Sequence, residues 1–465
     1  MDMFVVGGGR PLAGRCRVSG AKNAALPIMA ASLLTPAPLR LRDVPDLVDI
    51  KTLGQLLDAL GVQVTRSTTD RTLELRSVDT RPCTAEYELV RRMRASICVL
   101  GPLLAKRGAA VVSLPGGCNI GNRPVDLHLK GLAALGADIR VERGYIVAEA
   151  RRLRGARVPL AGPNGSTVTG TCNVMMAATL ADGVTTIESA ACEPEVVDLG
   201  DVLNRMGARI TGLGTPTIRI EGVPELSGAD HAVIPDRIEA ATLLIAAACT
   251  RGEVTLDNVR PEHLTAVLDK LREIGVGITQ AGDSVLHCSA DRPLRPVDCD
   301  MQPFPGLPTD TQAQFMALLA TVPGQSRITD AVFPDRFMHA SELVRLGASI
   351  RREGNSAMVT GGRPLGGANV MASDLRASAA LVLAGLAARG ETVIRRIYHL
   401  DRGYERMETK LAALGADIRR RVDQPVPPPP PAITPSTSTA APLRGPSWLR
   451  AVDVQTAADD SVAAP

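Results

Sequence analysis

Two helical patterns alternate along this chain. The first is apolar on every side and rich in alanine, as from Ala240 to Cys249, which is how a helix buried all round reads. The second is amphipathic and stops at a glycine. Its endings are Leu60-Gly61-Val62, Leu135-Gly136-Ala137, Met206-Gly207-Ala208, Ile274-Gly275-Val276, Leu346-Gly347-Ala348 and Leu414-Gly415-Ala416. A β-branched run follows each one. The glycines recur every 68–75 residues, which is too regular for chance and long for a solenoid. At each site a glycine suits the residue just past a helix, where the chain turns left-handed before a strand. About one helix upstream, the apolar helix passes through a short turn into a strand, as in Ala178 to Glu188, Ala246 to Leu256 and Leu386 to Ile394. The unit therefore reads helix, strand, helix, glycine, strand, strand. Six such units predict an α/β chain folded as two three-fold pseudo-symmetric domains rather than one sheet.

The starts of the six apolar helices carry the next signal. They read Ser19-Gly20-Ala21-Lys22-Asn23, Arg91-Arg92-Met93-Arg94-Ala95-Ser96, Val168-Thr169-Gly170-Thr171, Pro235-Asp236-Arg237-Ile238-Glu239, Pro308-Thr309-Asp310-Thr311-Gln312 and Ser373-Asp374-Leu375-Arg376-Ala377-Ser378. Capping accounts for the Ser, Thr and Asp residues. It does not account for Lys22, Arg94, Arg237 and Arg376, because a cation opposes the dipole at a helix N-terminus. One such residue is usually solvated surface. Four together predict an anionic ligand held by cations and free N–H groups. The equivalent strand-to-helix loops add Arg123, Arg336 and Arg402, so the expected site is a cleft between the domains with phosphate and carboxylate chemistry.

One loop stands apart, Ser113-Leu114-Pro115-Gly116-Gly117-Cys118-Asn119-Ile120-Gly121-Asn122-Arg123-Pro124-Val125-Asp126-Leu127. It places a thiol, a guanidinium and a carboxylate close together at the end of a strand-like run. On the loop alone, an ordinary half-buried cysteine is the commoner meaning. The chain has nine cysteines, an odd number without a CxxC pair, which suggests reduced thiols in a cytoplasm and no zinc ligation. Net charge is +3 and aromatic residues are 2%, which argues against a polyanion-binding surface or base-stacking platform. No apolar run is long enough to span a bilayer, and Met1-Asp2-Met3-Phe4 is not a signal peptide. Gly7-Gly8-Gly9 precedes no helix and reads as a turn, not a dinucleotide loop. After Ile418 the pattern stops. Pro425 to Pro431 and the Ser/Thr/Ala/Pro-rich sequence beyond, with a lone Trp448, read as a disordered tail over 421–465 that names no partner.

Taken together, Ser19 to Pro27, Met93-Arg94-Ala95-Ser96, Pro115-Gly116-Gly117-Cys118, Arg123-Pro124-Val125-Asp126-Leu127, Pro308-Thr309-Asp310, Asp335-Arg336-Phe337-Met338-His339, Asp374-Leu375-Arg376-Ala377-Ser378 and Asp401-Arg402-Gly403-Tyr404-Glu405-Arg406 resemble the UDP-N-acetylglucosamine 1-carboxyvinyltransferases, a family of enolpyruvyl transferases. The resemblance covers about residues 1–420. It implies two inverse α/β barrel domains, six βαβαββ repeats in total: residues 1–21 with 235–420 as one domain, residues 22–234 as the other. It implies transfer of the enolpyruvyl group of phosphoenolpyruvate to the 3-hydroxyl of UDP-N-acetylglucosamine, releasing phosphate. That is the first committed step of peptidoglycan synthesis, a cytoplasmic reaction tied to cell shape and division and a target of fosfomycin. Small molecules are then the partners, with no nucleic acid, membrane, metal or other cofactor.

By the same resemblance, Lys22, Arg123 and Arg402 hold the phosphate of phosphoenolpyruvate, Arg336 and Arg376 grip its carboxylate, and Asn23 lies beside the reacting centre. Arg94, Arg123, Pro124, Val125, Asp126 and Leu127 hold the UDP-sugar together with Gly165, Ser166, Thr167, Val168 and Thr169. Asp310 faces the sugar hydroxyl, and Val332 lines the uridine side. Cys118 is the proton donor and carries a covalent phosphoenolpyruvate adduct. The chain departs from the family at Cys172 (usually Glu), at Cys192 (usually Arg), at Pro334 and at Gly165 (Lys in some members). None of these removes a catalytic group. Two other readings of the same motifs are a paralogue acting on another uridine nucleotide, and a weakly active UDP-sugar-binding regulator of cell-wall flux.

Overall fold

The computed structural model describes residues 2–116, 125–163 and 165–422. Five times the chain runs through the predicted order of helix, strand, helix and two further strands; the sixth unit ends after one such strand, Asp417–Val422, and Asp2–Gly7 from the N-terminus takes the place of the other. The first unit is typical. The helix Lys22–Ala31 is followed by the strand Leu39–Arg42, the helix Val48–Ala59, and the strands Val62–Ser67 and Thr72–Ser77. The turn glycines Gly61, Gly136, Gly207, Gly275, Gly347 and Gly415 all have φ between 80 and 110°, the left-handed conformation that a Cβ disfavours.

Each unit contributes a four-stranded sheet with one parallel edge pair and an antiparallel remainder. Parallel edges come from elsewhere in the sequence and close each ring of three. Ala229–Ala232 returns to pair with Leu39–Arg42, so the third unit is tied to the first. The N-terminus ties the later units together with one parallel edge strand and one antiparallel interior strand. Ala13–Arg17 lies parallel to Glu253–Asp257, and Asp2–Gly7 inserts between Glu391–Arg395 and Asp417–Val422.

Two hydrophobic cores result. One gathers Phe4 to Val18 and Ala240 to Ile418, and the other Ala21 to Ile234. The all-apolar helices run through their middles; every residue of Arg237–Cys249 is buried. A buried leucine or isoleucine there is worth about 1.5–3 kcal/mol. The chain passes between the cores twice, and the two crossings lie side by side. Gly20 bridges Pro235, Ala21 N–H donates to the Ile234 carbonyl (2.7 Å), and Asp236 N–H to the Ser19 carbonyl (2.8 Å).

The final strand continues through Val422, two residues past the sequence boundary at 420, because Arg421 and Val422 pair with Met3 and Asp2. A run of three arginines reads as solvated tail until the partner strand is known. The tail reading itself, with Trp448, lies outside the described residues. Among those residues, no helix is long and apolar enough to cross a membrane.

Candidate active site

Side-chain caps appear at three of the six predicted starts. Thr167 accepts from Gly170 N–H, Asp236 from Ile238 and Glu239, and Asp374 from Arg376 and Ala377. Ser19, expected as a cap, instead donates its hydroxyl to Glu405. The cations near these starts meet carboxylates of the chain itself. Lys22, 7% exposed, donates to Asp49 Oδ2 at 2.9 Å. Arg402 Nε donates to the other oxygen, Oδ1, at 3.0 Å. Asp49 lies in the first turn of Val48–Ala59 and is buried against both cations. Burial alone would raise its pKa, but Lys22 and Arg402 reverse that and hold the carboxyl below its usual range.

A second cluster has the same form. Asp310 Oδ1 accepts from Arg336 Nη2 at 3.0 Å and from Arg376 Nε at 3.2 Å. Both arginines are buried, while Asp310 keeps 31% of its side-chain surface. Against the burial effect, Arg376 and Arg336 hold this carboxyl far below the usual carboxylate range. Arg336 also donates to Thr309 Oγ1 (3.2 Å), whose hydroxyl donates to Asp330 (2.6 Å). Arg376 lies over the Tyr404 ring at 5.4 Å, and the Tyr404 hydroxyl is held by Thr242 and Gln314. The helix Leu375–Ala387, which carries Arg376, packs on the 3-10 helix Ile397–Arg402 and so ties this cluster to Arg402. Gly403 allows that approach, since a Cβ there would sit 2.6 Å from Leu375 Cδ2.

Most of the remaining predicted residues that are described lie at or just before two neighbouring helix starts. Asp126 and Leu127 open Asp126–Ala134, just after Val125. Gly165 and Ser166 form a hairpin strand, and Thr167, Val168 and Thr169 begin Val168–Ala178. His128, 2% exposed, joins the two through a 3.1 Å contact from Nε2 to Thr169 Oγ1 and a 2.9 Å contact from Nδ1 to Asn173. Gly165 would set a Cβ 3.1 Å from Pro303 Cγ, which belongs to the segment entering Asp310. Arg94 opens the short helix Arg94–Val99. Gly116 packs against the Arg91 carbonyl, where a Cβ would lie at 2.1 Å. Asn23 is exposed on the first turn beside Lys22, and Val332 donates its N–H to Asp330. Cys118, Arg123 and Pro124 lie outside the described residues.

The structure adds three groups that pattern reading passed over, Asp49, His128 and Asp330, and gives contacts to two that stood in a motif without a role, Tyr404 and Glu405. Asp49 had a signal, being a carboxylate in helical register with Leu53 and Leu56 on the buried face. The departures Cys172 and Cys192 lie around a second cross-core pair, Arg237 to Glu195 (2.9 and 3.2 Å). Burial, with Cys98, Glu193 and Glu195 nearby, pushes the Cys172 thiol well up. Among the described residues, no group of three or more His, Cys, Asp or Glu is placed to hold a metal ion.

Two cation pairs are thus each held on a carboxylate, Lys22 with Arg402 on Asp49 and Arg336 with Arg376 on Asp310. The family model for EPSP synthase (3-phosphoshikimate 1-carboxyvinyltransferase) matches residues 6–411, and the chain belongs to that family. It is 56% identical over 421 residues to the UDP-N-acetylglucosamine 1-carboxyvinyltransferase of Sorangium cellulosum, covering 90% of this chain and 99% of that protein. It is 53% identical over 420 residues to the same enzyme of Geobacter metallireducens, at 90% and 99% coverage. Among solved structures it resembles the enolpyruvyl transferase NikO from Streptomyces tendae, with TM-score 0.82 at 28% identity over 90% of this chain and 98% of that one. EPSP synthase from Acinetobacter baumannii shares the fold, with TM-score 0.71 at 18% identity over 91% and 100%. Within the family, this chain groups with the UDP-N-acetylglucosamine 1-carboxyvinyltransferases.

Proposed function

We propose that this enzyme transfers the enolpyruvyl group of phosphoenolpyruvate to the 3-hydroxyl of UDP-N-acetylglucosamine in the cytoplasm, opening peptidoglycan synthesis. The observation that carries the site is the double parking of cations, Lys22 and Arg402 on Asp49, Arg336 and Arg376 on Asp310. A phosphate or carboxylate offers these cations the geometry their resident carboxylates now supply. In this reading Lys22 and Arg402, with Arg123, take the phosphate, and Arg336 and Arg376 take the carboxylate end. Arg94 and the segments 123–127 and 165–169 hold the nucleotide sugar, Val332 lines its uridine side, and Asn23 sits by the reacting centre. Residues 1–21 with 235–420, and residues 22–234, act as the two domains that flank the site.

The chemistry follows from charge. The enol carbon of phosphoenolpyruvate becomes electrophilic when its methylene carbon takes a proton. Cys118 donates it, since an ordinary thiol pKa of about 8.5 lies near the working pH. The sugar 3-hydroxyl adds to the enol carbon and gives up its proton. The tetrahedral phosphate intermediate then returns a proton from the methyl carbon and expels phosphate. Fixed guanidiniums spread the charge of that intermediate without reorganising. Asp310 is suited to take the hydroxyl proton only when its arginines turn to the substrate. While both hold it, its basicity is suppressed. Carboxylate binding by Arg336 and Arg376 therefore switches the base on.

The test is phosphate release from phosphoenolpyruvate with a panel of UDP-sugars, UMP and shikimate 3-phosphate. Turnover is expected with UDP-N-acetylglucosamine. Turnover confined to another acceptor, or binding without phosphate release, would replace this reading with the paralogue or the regulator.

A further inference from the structure

Apart from the two cation pairs, a cluster of bonds between the cores surrounds Glu405. This carboxylate is 13% exposed and accepts three hydrogen bonds. Asp46 N–H reaches Oε1 at 2.7 Å; Ser19 Oγ and Arg71 Nη2 each reach Oε2 at 2.7 Å. Ser19 stands in the first crossing between the cores. Asp46 and Arg71 belong to the Ala21–Ile234 side, whereas Glu405 belongs to the other. Lys410 completes the group by donating to Ser19 Oγ (2.6 Å) and to Glu239. Arg71 is fixed for this task. It sits left-handed at φ 54° in the turn before Thr72–Ser77, and its carbonyl accepts from Val44 N–H at 2.9 Å.

The spacing links this cluster to the chemistry. Glu405 lies three residues after Arg402, and Asp46 lies three residues before Asp49. Arg402 to Asp49 and Glu405 to Asp46 are therefore successive rungs between two short segments on facing cores. On that geometry we propose that Glu405 is a positioning residue for phosphoenolpyruvate binding: it latches the 402–405 segment to the facing core and so fixes where Arg402 presents its guanidinium. This rests on the reading of Arg402 as a phosphate ligand. Without the latch, the segment would be tied to the facing core through the Arg402 to Asp49 bond, the very bond that phosphate would replace. A displacement near 1 Å in such a group can cost roughly 100-fold, and a partial loosening correspondingly less.

The test compares Glu405→Ala, Arg71→Met, Arg71→Lys, the double variant Glu405→Ala/Arg71→Met, and Arg402→Ala in steady-state assays. Arg71 is a partly exposed turn residue, so its variants keep the question answerable where Glu405→Ala folds poorly. Glu405→Ala and Arg71→Met should each raise the KM for phosphoenolpyruvate about 10-fold with kcat held within about 2-fold, the signature of lost binding. Arg71→Lys should restore most of it. The double variant should be little worse than the poorer single one, since both break one latch. A KM within about 2-fold of the parent while only the melting temperature falls would overturn the proposal, as would losses that multiply in the double variant. Arg402→Ala separates the two readings. If it leaves the phosphoenolpyruvate KM unchanged, the phosphate assignment fails. If it raises that KM and the latch variants do not, the latch alone fails.

Discussion

The residues with most chemistry here are defined by what surrounds them, and the thiols show it. Burial pushes Cys98, Cys288 and Cys299 up to about 12 and raises Cys16, Cys172, Cys192 and Cys249, so each stays a thiol near neutral pH. Cys118 should be the thiol that fosfomycin, an epoxide bearing a phosphonate, alkylates, because Lys22, Arg123 and Arg402 would steer the phosphonate to it and not to the partly exposed Cys83. Cys118→Asp should keep some turnover and resist the epoxide, while Cys118→Ser should lose most turnover because a hydroxyl is too weak an acid. Intact mass followed by peptide mapping reads the adduct; an adduct on another cysteine, or full activity in Cys118→Ser, would sink the assignment. His339 makes a pH prediction. It is 2% exposed, and burial pushes its pKa down to about 4, with Asp374 opposing and Arg336 assisting. Between about 4 and the unfolded value near 6.5 the unfolded chain binds more protons, so stability rises with pH there. The stabilisation is complete above 6.5 and is lost as pH falls toward 4. It amounts to about 2 kcal/mol between pH 7 and pH 5. His339→Gln should flatten that part of the profile in guanidinium unfolding at the two pH values; an unchanged slope would mean the ring protonates without penalty.

At the scale of elements, the starts of the apolar helices convert sequence into a site. Asp374 shows how. Its carboxylate accepts from Arg376 N–H at 2.9 Å and Ala377 N–H at 3.1 Å, so one cap both ends the exposed N–H groups and orients the residue that grips Asp310. Asp374→Ala should cost about 1–2 kcal/mol of stability and weaken phosphoenolpyruvate binding, while Asp374→Asn, which still caps, should retain most of the stability. Equal losses in both variants, by thermal unfolding and KM, would show that charge rather than capping is what Asp374 supplies. The six repeats were legible because an all-apolar helix, an amphipathic helix and a left-handed glycine each leave a local mark. The cations at helix starts were legible as anomalies against the dipole. Their pairing with Asp49 and Asp310 was not. Asp49 in a first turn reads as an ordinary dipole-favoured acid, and only folding brings Lys22 and Arg402 to it. The role of Glu405 was hidden for the same reason: its three donors are separated from it by more than 330 residues of sequence.

At the scale of the whole molecule, the two ends of the folded body close on each other. Arg420 is the fastener. It donates to Asp401 (3.0 Å), Glu408 (3.1 Å) and Asp2 (3.2 Å), and its guanidinium lies 5.1 Å from the Phe4 ring centre. Asp401 is the residue before Arg402, so the last strand braces the segment that carries Arg402. The boundary at which the chain becomes dispensable is therefore sharp. Sequence beyond Val422 is rich in proline and small polar residues, a composition from which no contribution to the folded body is expected. A chain ending at Asp423 should keep its turnover and its thermal midpoint. A chain ending at Arg419 removes Arg420 with its charged hydrogen bonds, and removes the pairing of Arg421 and Val422 with Met3 and Asp2. Hydrogen bonds to charged groups contribute about 1.5–3 kcal/mol each when well formed, and Arg420 is partly exposed, so a loss of roughly 2–4 kcal/mol is expected. Phosphoenolpyruvate turnover should fall with it as the segment carrying Arg402 loosens. Scanning calorimetry and phosphate release on the two truncations decide the matter. A lowered midpoint in the longer chain would mean that residues beyond 423 dock on the body, and an unchanged midpoint in the shorter one would remove Arg420 from the account of stability.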